Sequence, residues 1–274
     1  MTITKKDILT TSSAERQIGI FYLGQEGFLF RKKGFNVVVD PYLSDYVDQN
    51  CCDLVKWERL YAPPISPEEL DFVDLVVCTH SHFDHADPWT LSKIAKVNKK
   101  ANFIVPSPEV SLISSYGVEK DRIIGAKADT PINLGEITVT PVPSAHEVFH
   151  KDDNGDFKEL GYIFDFNNAR FFHAGDMCVY DGLKERLRNI DIAFLPINGR
   201  DYYRNKNDII GNFNSDEAVL LAKEISAEIL VPMHHDLYEV NKESPSNFVN
   251  AIERFDRLRK YHIFSPGEKY IFEK

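Results

Sequence analysis

Cysteine is scarce in this sequence, with four residues among 274. Cys51 and Cys52 are adjacent, while Cys78 and Cys178 lie in apolar runs, where buried free thiols are common. This number and spacing do not form a disulfide framework. We therefore expect a cytoplasmic protein whose thiols stay reduced.

The sequence also lacks long apolar segments and an excess of basic residues. No stretch approaches the roughly 20 consecutive apolar residues of a membrane span, and the N-terminal residues lack the apolar core of a signal peptide. Acidic residues outnumber basic ones by 42 to 32, so the net charge is -10. Because nucleic acids and anionic membranes are bound through basic faces, we expect neither as a partner. A small anionic substrate remains compatible with this charge, since a metal ion and local arginines can reverse the field inside one cleft.

Short β-type runs and helical segments occur in both halves of the chain without a linker between them. Hydrophobic patterning predicts strands in 18–24, 27–33, 36–43, 73–80, 101–107 and 122–127, and later in 136–146, 160–166, 169–176, 190–197, 228–234 and 269–274. Helices are predicted in 89–97, 108–118, 182–189, 215–226 and 244–260, the first of them capped by Asp87 and Pro88. This order predicts one α/β domain over 1–274, with two sheets covered by helices and residues 1–17 as an N-terminal extension.

The strongest chemical signal is the segment THSHFDHAD at 79–87, which directly follows a buried-strand pattern. It places His80, His82, Asp84 and His85 within six residues. In a loop at a strand end, this spacing presents imidazole and carboxylate ligands to two adjacent metal ions.

Further candidate ligands follow other predicted strands. These are His146 in PVPSAHE, Asp176 in FFHAGD, and His234 and His235 in VPMHHD. Because loops at strand ends gather at one edge of such a fold, we expect these side chains to meet the 79–87 segment.

The set resembles the five sequential motifs of the metallo-β-lactamase superfamily, over residues 18–272. The residues that carry the resemblance are Asp40 in VVVDPY, HSHFDH at 80–85, His146, Asp176 and His234. It implies an αββα four-layer sandwich of two mixed sheets flanked by helices, and a hydrolase with two divalent metal ions. By that resemblance His80, His82 and His146 bind the first ion. Asp84, His85 and His234 bind the second, and Asp176 bridges the two. Asp40 is then an acceptor that orients a ligand histidine.

A narrower resemblance is to the L-ascorbate-6-phosphate lactonase family. It rests on the blocks DPYLSD, LPINGRDYYR, GNFNSDEA, VPMHHD and YHIFSPGE. The resemblance implies opening of the lactone of a phosphorylated sugar acid, with manganese as the metal, although a histidine and aspartate site also accepts zinc.

The residues permit a mechanism in which two cations activate a water that attacks the lactone carbonyl. Asp84 is expected to orient this water or shuttle its proton, and a metal-bound water, His173 or His235 could protonate the leaving alkoxide. Asn198, Arg200 and Arg204 are candidates for binding the substrate and its phosphate, although Arg200 could instead pair with Asp201 or another acid.

Two other functions stay open at this point. One is a phosphodiesterase acting on a cyclic nucleotide or a phospholipid-type ester, because the same centre attacks phosphorus as readily as carbon. The other is a non-catalytic metal-binding protein. A homo-oligomer is compatible with the aromatic content of 12% but is not required by it.

Overall fold

Fourteen strands and eight α-helices form in the residues that the structure, a computed structural model, describes: 2–11, 14–51 and 54–274. The strands are β1 Gln17–Gly24, β2 Gly27–Lys32, β3 Phe35–Val39, β4 Leu75–Val77, β5 Asn102–Pro106, β6 Ile123–Ala126, β7 Ile132–Asn133, β8 Thr138–Pro143, β9 Leu160–Asp165, β10 Arg170–His173, β11 Ile192–Pro196, β12 Ile229–Met233, β13 Lys260–Tyr261 and β14 Lys269–Glu273. The helices are α1 Lys5–Thr10, α2 Tyr46–Asn50, α3 Pro88–Val97, α4 Val110–Ser115, α5 Leu183–Arg186, α6 Tyr202–Lys206, α7 Ser215–Glu224 and α8 Pro245–Phe255. Short 3-10 helices cover Pro67–Glu69, Ser107–Glu109, Lys120–Arg122 and Glu239–Asn241.

The strands form two mixed sheets of seven strands each within these residues. The first has the order β14-β1-β2-β3-β4-β5-β6, and the second β13-β12-β11-β10-β9-β8-β7. In each sheet three neighbouring pairs are antiparallel and three are parallel. The parallel pairs lie side by side, so the carboxyl ends of their strands meet at one edge of each sheet.

The four-layer arrangement follows from the alternation of side chains along the strands. In β1, Ile20 and Tyr22 join the core between the sheets, while Phe21 and Leu23 join a second core under the flanking helices. Leu91 and Ile94 of α3 belong to that second core. Helices α7 and α8 contribute apolar residues to the core of the second sheet, among them Ala218, Val219, Phe248 and Ile252. The predicted αββα sandwich is confirmed.

Most predicted elements are found. The predicted helices differ at their ends, and the structure adds helices α1, α2 and α6 and strand β7. Helix α3 begins as predicted, since the Asp87 carboxylate accepts from the Trp89 N–H at 2.9 Å and Pro88 occupies the first helical turn. The helix predicted in 244–260 ends at Phe255, because the next residues turn away and Leu258 is 92% exposed, so no apolar contact extends the helix. The helix predicted in 182–189 is a single turn.

Described residues of the predicted N-terminal extension pack on the fold. Helix α1 begins with a capping box between Thr4 and Asp7, and Ile3 and Ile8 are buried in the core beside the first sheet. No helix in the described part of the chain is long and apolar enough to cross a membrane.

Two of the four cysteines are buried free thiols. These are Cys78 and Cys178. Cys52, which follows Cys51 in the sequence and was also expected to stay reduced, lies outside the described residues.

Candidate metal centre

The predicted metal-binding side chains meet at one edge of the two sheets. The segment 80–85 follows β4 of the first sheet. From the second sheet come His146 after β8, Asp176 after β10 and His234 after β12. Both sheets therefore contribute to the same cluster.

The cluster divides into two groups. Within each group, the potential ligand atoms lie within 4.8 Å of one another. The first group holds His80, His82, His146 and Asp176, and the second holds Asp84, His85 and His234. The Asp176 carboxylate spans the two. Its Oδ2 is 3.3 Å from His146 Nε2 and its Oδ1 is 3.3 Å from His234 Nε2.

This cluster fits divalent cations. Among the described residues, the Nε2 atoms of His80 and His85 are buried without a hydrogen-bond partner, although Asp176 Oδ2 lies 3.7 Å and 3.5 Å from them. Buried polar atoms are normally paired, so unpaired nitrogens that converge with carboxylates fit the ligand set of a cation. Imidazole and carboxylate donors suit zinc, manganese or iron alike.

Asp40 orients one of these histidines, His85, through a hydrogen bond. Its Oδ2 accepts from His85 Nδ1 at 2.9 Å and from the Thr79 hydroxyl at 2.6 Å, and its Oδ1 accepts from the Thr79 N–H at 2.8 Å. The backbone of Asp40 is left-handed, with φ +42°. With Nδ1 donating to Asp40, His85 Nε2 faces the cluster.

The turn that carries Asp176 requires a glycine before it. Gly175 has φ +60°, and a Cβ there would lie 2.7 Å from the Cβ of Thr79. The absence of a side chain therefore lets the Asp176 turn approach the first sheet closely enough to face both groups.

A chain of amide side chains supports Asp176 from the other side. Asn212 Nδ2 donates to Asp176 Oδ1 at 2.7 Å and to Asn198 Oδ1 at 3.1 Å. Asn198 Nδ2 donates to Asn241 Oδ1 at 3.2 Å, which also accepts from Arg204 Nε at 2.9 Å. The sequence blocks around Asn198 and Asn212 are therefore connected to the cluster by hydrogen bonds.

Gln25 was not predicted from the sequence. Its Nε2 donates to Asp84 Oδ2 at 2.7 Å and lies 3.1 Å from His234 Nε2, and its carbonyl accepts from the His234 N–H at 3.0 Å. The residue has φ +58° in the β1–β2 turn. The available signal is a polar pair, Gln25-Glu26, inside an otherwise apolar hairpin.

Burial and charge set the protonation of the histidines in opposite directions. Burial lowers the pKa of His80 and His82, and that of His146 to about 4, so their rings are neutral at pH 7. Burial also opposes charge on His85 and His234, but the nearby carboxylates of Asp84 and Asp176 outweigh it and raise the pKa of both rings. The two groups therefore differ in charge before any cation binds.

A cavity of about 340 Å³ opens onto the cluster. Side chains of Asp84, Asp176 and three cluster histidines line it on one side. Its other walls are mainly apolar and aromatic and include Val47, Trp57, Phe83, Ile209, Ile210 and Tyr238. No lysine or arginine of the described residues lines it, and Asp208 adds a further negative charge.

The two predicted phosphate-binding arginines have structural partners outside the cavity lining. Arg200 donates to the Asn212 carbonyl at 2.7 Å and pairs with Glu217 at 2.5 Å. Arg204, 7% exposed at its side chain, pairs with Asp201 and donates to the Lys242 carbonyl at 2.9 Å. These contacts hold the 198–212 segment in place, and the predicted binding of a phosphate by these arginines stays a prediction.

The two histidines predicted as proton donors also lie outside the cavity lining. His173 is fully buried, with Nε2 donating to the Glu26 carbonyl at 2.8 Å and Nδ1 accepting from the Gly175 N–H at 3.3 Å. Both nitrogens are thus engaged within the protein. His235 is 4% exposed, and its Nδ1 has no hydrogen-bond partner in the described part of the chain.

Comparison with known proteins agrees with this architecture. The chain matches the model of the Beta-lactamase superfamily domain over residues 35–235. Proteins described as UPF0173 metal-dependent hydrolases in Aeropyrum pernix and Archaeoglobus fulgidus are each 27% identical to it, covering 92% and 93% of this chain and 96% and 99% of theirs.

Solved structures share the fold at lower identity. Igni18, a metallo hydrolase from Ignicoccus hospitalis, is 22% identical, with a TM-score of 0.69 over 94% of this chain and 99% of the other. An isothiocyanate hydrolase from Delia radicum gut bacteria is 18% identical, with a TM-score of 0.71 over 93% of this chain and 100% of the other.

Proposed function

The chain belongs to the beta-lactamase superfamily, and on that premise we propose that it is a metal-dependent hydrolase that cleaves a carboxylic ester or lactone of a small molecule. The observation that carries the proposal is the convergence of seven histidine and aspartate side chains in two groups at the floor of a cavity. We propose that these groups hold two divalent ions, manganese or zinc.

Divalent ions at such positions polarise a carbonyl oxygen and lower the pKa of a nearby water toward neutrality. The protein supplies the imidazole and carboxylate groups that would hold these ions. Neutral imidazoles at His80, His82 and His146 present lone pairs without losing a proton first. Asp176 faces both groups with different oxygens, so it fixes their separation.

Asp84 belongs to the second group and also lines the cavity. Gln25 donates to Asp84 Oδ2 and thereby sets the rotation of the carboxylate. Asp84 is therefore positioned to orient an attacking water and to accept its proton, a role that typically contributes 10²–10⁴-fold to a rate.

The cavity walls favour an uncharged substrate with an apolar portion. Apolar and aromatic side chains surround the cluster, and the described lining contains Asp208 but no fixed cation. A phosphate at the end of the substrate would lack a basic side chain there, since Arg200 and Arg204 are engaged elsewhere. We therefore favour a neutral ester or lactone over a phosphorylated sugar lactone.

A substrate panel tests this choice. Protein loaded with manganese or zinc is assayed against a neutral lactone, the same lactone carrying a phosphate, and bis(p-nitrophenyl) phosphate. We expect the highest kcat/KM for the neutral lactone. Preference for the phosphorylated lactone would overturn the substrate choice but keep the lactonase activity. Turnover of the phosphodiester alone would replace the proposal with the phosphodiesterase alternative.

The Asp84→Asn variant separates an enzyme from a non-catalytic metal-binding protein. This substitution keeps the side-chain size while removing the charge that accepts a proton. We expect a fall in kcat of at least about 10²-fold. Activity equal to the unaltered protein would show that the hydrolysis comes from a contaminant or from free metal.

A further inference from the structure

Gln25 places the end of its side chain against two ligands of the proposed second position. Its amide nitrogen Nε2 lies 2.7 Å from Asp84 Oδ2 and 3.1 Å from His234 Nε2, and these two atoms are 3.5 Å apart. Ligands that surround one divalent ion at about 2.1 Å lie about 3 Å from one another. The three atoms therefore form a triangle of the size that neighbouring ligands of one ion form.

The contact with His234 involves the nitrogen that faces the cluster. His234 Nε2 also lies 3.3 Å from Asp176 Oδ1, so this atom is directed at the second position. A residue that only supported Asp84 would need no contact with this nitrogen. Gln25 thus borders the second position on the side of its ligand atoms.

The amide of Gln25 can present either of its two end atoms at this point. Amide nitrogen and oxygen are nearly equal in shape, so a half-turn about the last side-chain bond exchanges Nε2 and Oε1. Among the described residues no group donates a hydrogen bond to Oε1, and the exchange therefore breaks only the contacts of Nε2. An N–H group carries partial positive charge and repels a cation, whereas an amide oxygen is a hard donor that binds divalent ions.

The backbone of Gln25 is fixed on both sides, so its side chain starts from a defined point. The residue is 2% exposed and has φ +58°, a conformation that is uncommon for residues other than glycine. Its N–H donates to the Tyr61 hydroxyl at 3.2 Å, and its carbonyl accepts from the His234 N–H at 3.0 Å. The Tyr61 hydroxyl in turn donates to Asp236 at 2.7 Å. A conformation of this cost persists where the surroundings impose it, often at binding sites.

We propose that Gln25 is a ligand of the second cation through its amide oxygen, beyond the seven residues of the proposed centre. This inference rests on the proposed metal-dependent function. Together with Asp84, His85, His234 and Asp176, Gln25 gives the second position five protein donors. Such a position suits manganese, which takes six ligands, better than zinc, which is usually held by four. The second position should therefore select manganese over zinc.

Calorimetric titration of the full chain measures the contribution of Gln25 to affinity. Gln25→Met keeps the length of the side chain and removes the amide. Gln25→Glu keeps an oxygen at the same distance, but its carboxylate cannot donate a hydrogen bond to Asp84. Gln49→Met is the matched control, because Gln49 is an exposed glutamine of α2. Each metal-free sample is titrated with Mn²⁺ and with Zn²⁺.

We expect Gln25→Met to weaken one of two Mn²⁺ sites by at least about tenfold, with a smaller effect on Zn²⁺, since loss of even an outer contact of a metal ligand costs about 10–100-fold. Gln25→Glu should bind Mn²⁺ at least as tightly as the unaltered protein, and Gln49→Met should equal it. If Gln25→Glu binds Mn²⁺ as weakly as Gln25→Met, the N–H donated to Asp84 is what supports binding, and the inference is overturned.

Carbon-13 NMR tests the contact itself. The sequence has three glutamines, Gln17, Gln25 and Gln49, so protein labelled at glutamine Cδ gives three signals, and Gln25→Met identifies that of Gln25. Cd²⁺ serves as a diamagnetic ion of a size close to that of Mn²⁺. Binding of the amide oxygen polarises the carbonyl and should move the Gln25 signal downfield, while the other two stay in place. A Gln25 signal that stays in place or moves upfield after two Cd²⁺ have bound contradicts the inference.

These measurements separate the role of Gln25 from the hydrolase proposal. Two Mn²⁺ sites of unchanged affinity in Gln25→Met would overturn the role of Gln25 and leave the hydrolase proposal intact. Failure of the unaltered protein to bind any of these metals would overturn both.

A further variant covers a folding defect in Gln25→Met, which circular dichroism would detect. Gln25→Asn is the replacement, because asparagine tolerates a positive φ and withdraws the amide by one methylene. A weakened Mn²⁺ site in Gln25→Asn supports the inference, and unchanged Mn²⁺ binding contradicts it.

Discussion

Asn212 donates a hydrogen bond of 2.7 Å from its side-chain amide to Asp176, the carboxylate that faces both groups of the metal centre. Asn212 is itself fully buried and lies at the end of the chain of contacts that runs through Asn198 and Asn241 to Arg204. The residues that the sequence associates with substrate thus support a metal ligand.

Replacing Asn212 by Ala should weaken metal binding without unfolding the protein. The substitution removes the donor that fixes Asp176 Oδ1, and loss of such an outer contact typically costs 10–100-fold in metal affinity or activity. Calorimetric titration with Mn²⁺ or Zn²⁺ measures the change. Asn154→Ala, in an exposed turn, serves as the control. Equal affinity in both variants would show that Asp176 keeps its orientation without Asn212.

Asp40→Asn should impair the second cation position more than the first. Asp40 contacts His85, a member of the second group, and an amide in its place no longer favours the tautomer that donates from Nδ1. Stoichiometry measured by metal analysis after dialysis should fall from two ions toward one. The exposed Asp153→Asn variant should retain both ions. Retention of two tightly bound ions in Asp40→Asn would contradict this role.

Metal binding should depend on pH in different ways at the two positions. In the metal-free protein the raised pKa of His85 and His234 keeps these rings protonated above pH 6.5, so a cation at the second position must displace protons. The lowered pKa of His80, His82 and His146 leaves these rings neutral at the same pH, so a cation can bind at the first position without displacing protons from them.

Affinity at the second position should therefore rise as the pH rises above about 6.5, by up to tenfold per pH unit for each proton released. Affinity at the first position should stay nearly constant over that range. Calorimetry in two buffers of different ionisation enthalpy counts the protons released at each step. Equal proton release at both steps would contradict the assigned charges.

Arg204→Ala should act mainly on stability. The buried guanidinium pairs with Asp201 and donates to Asn241 and to the Lys242 carbonyl, so its loss leaves polar groups unpaired and should lower the free energy of unfolding by about 2–3 kcal/mol. Urea denaturation measures this change. Arg200→Ala, whose side chain is 34% exposed, should cost less.

Neither arginine variant should discriminate between neutral and phosphorylated lactones. A rise in KM for the phosphorylated lactone alone, in a variant of unchanged stability, would restore the predicted phosphate-binding role.

The sequence was most informative where ligands are close together in the chain. The spacing of His80, His82, Asp84 and His85 in one loop places them in both groups. Apolar alternation indicated the individual strands, while the αββα layering of the two sheets was implied by the family resemblance. The role of Arg204 could not be predicted in this way, because its partner Asn241 is 37 residues away and no local pattern joins them.

The pairing of the last strand with the first has a consequence for synthesis of the protein. Lys269–Glu273 adds to β1 as the edge strand of the first sheet, with Ile18 opposite Phe272. While the chain emerges from the ribosome, β1 therefore waits with an unpaired edge until Lys269–Glu273 has been translated. An open edge of this kind invites pairing between nascent chains, so deletion of residues 269–273 should cause aggregation during expression, even though the candidate metal-binding residues are all present.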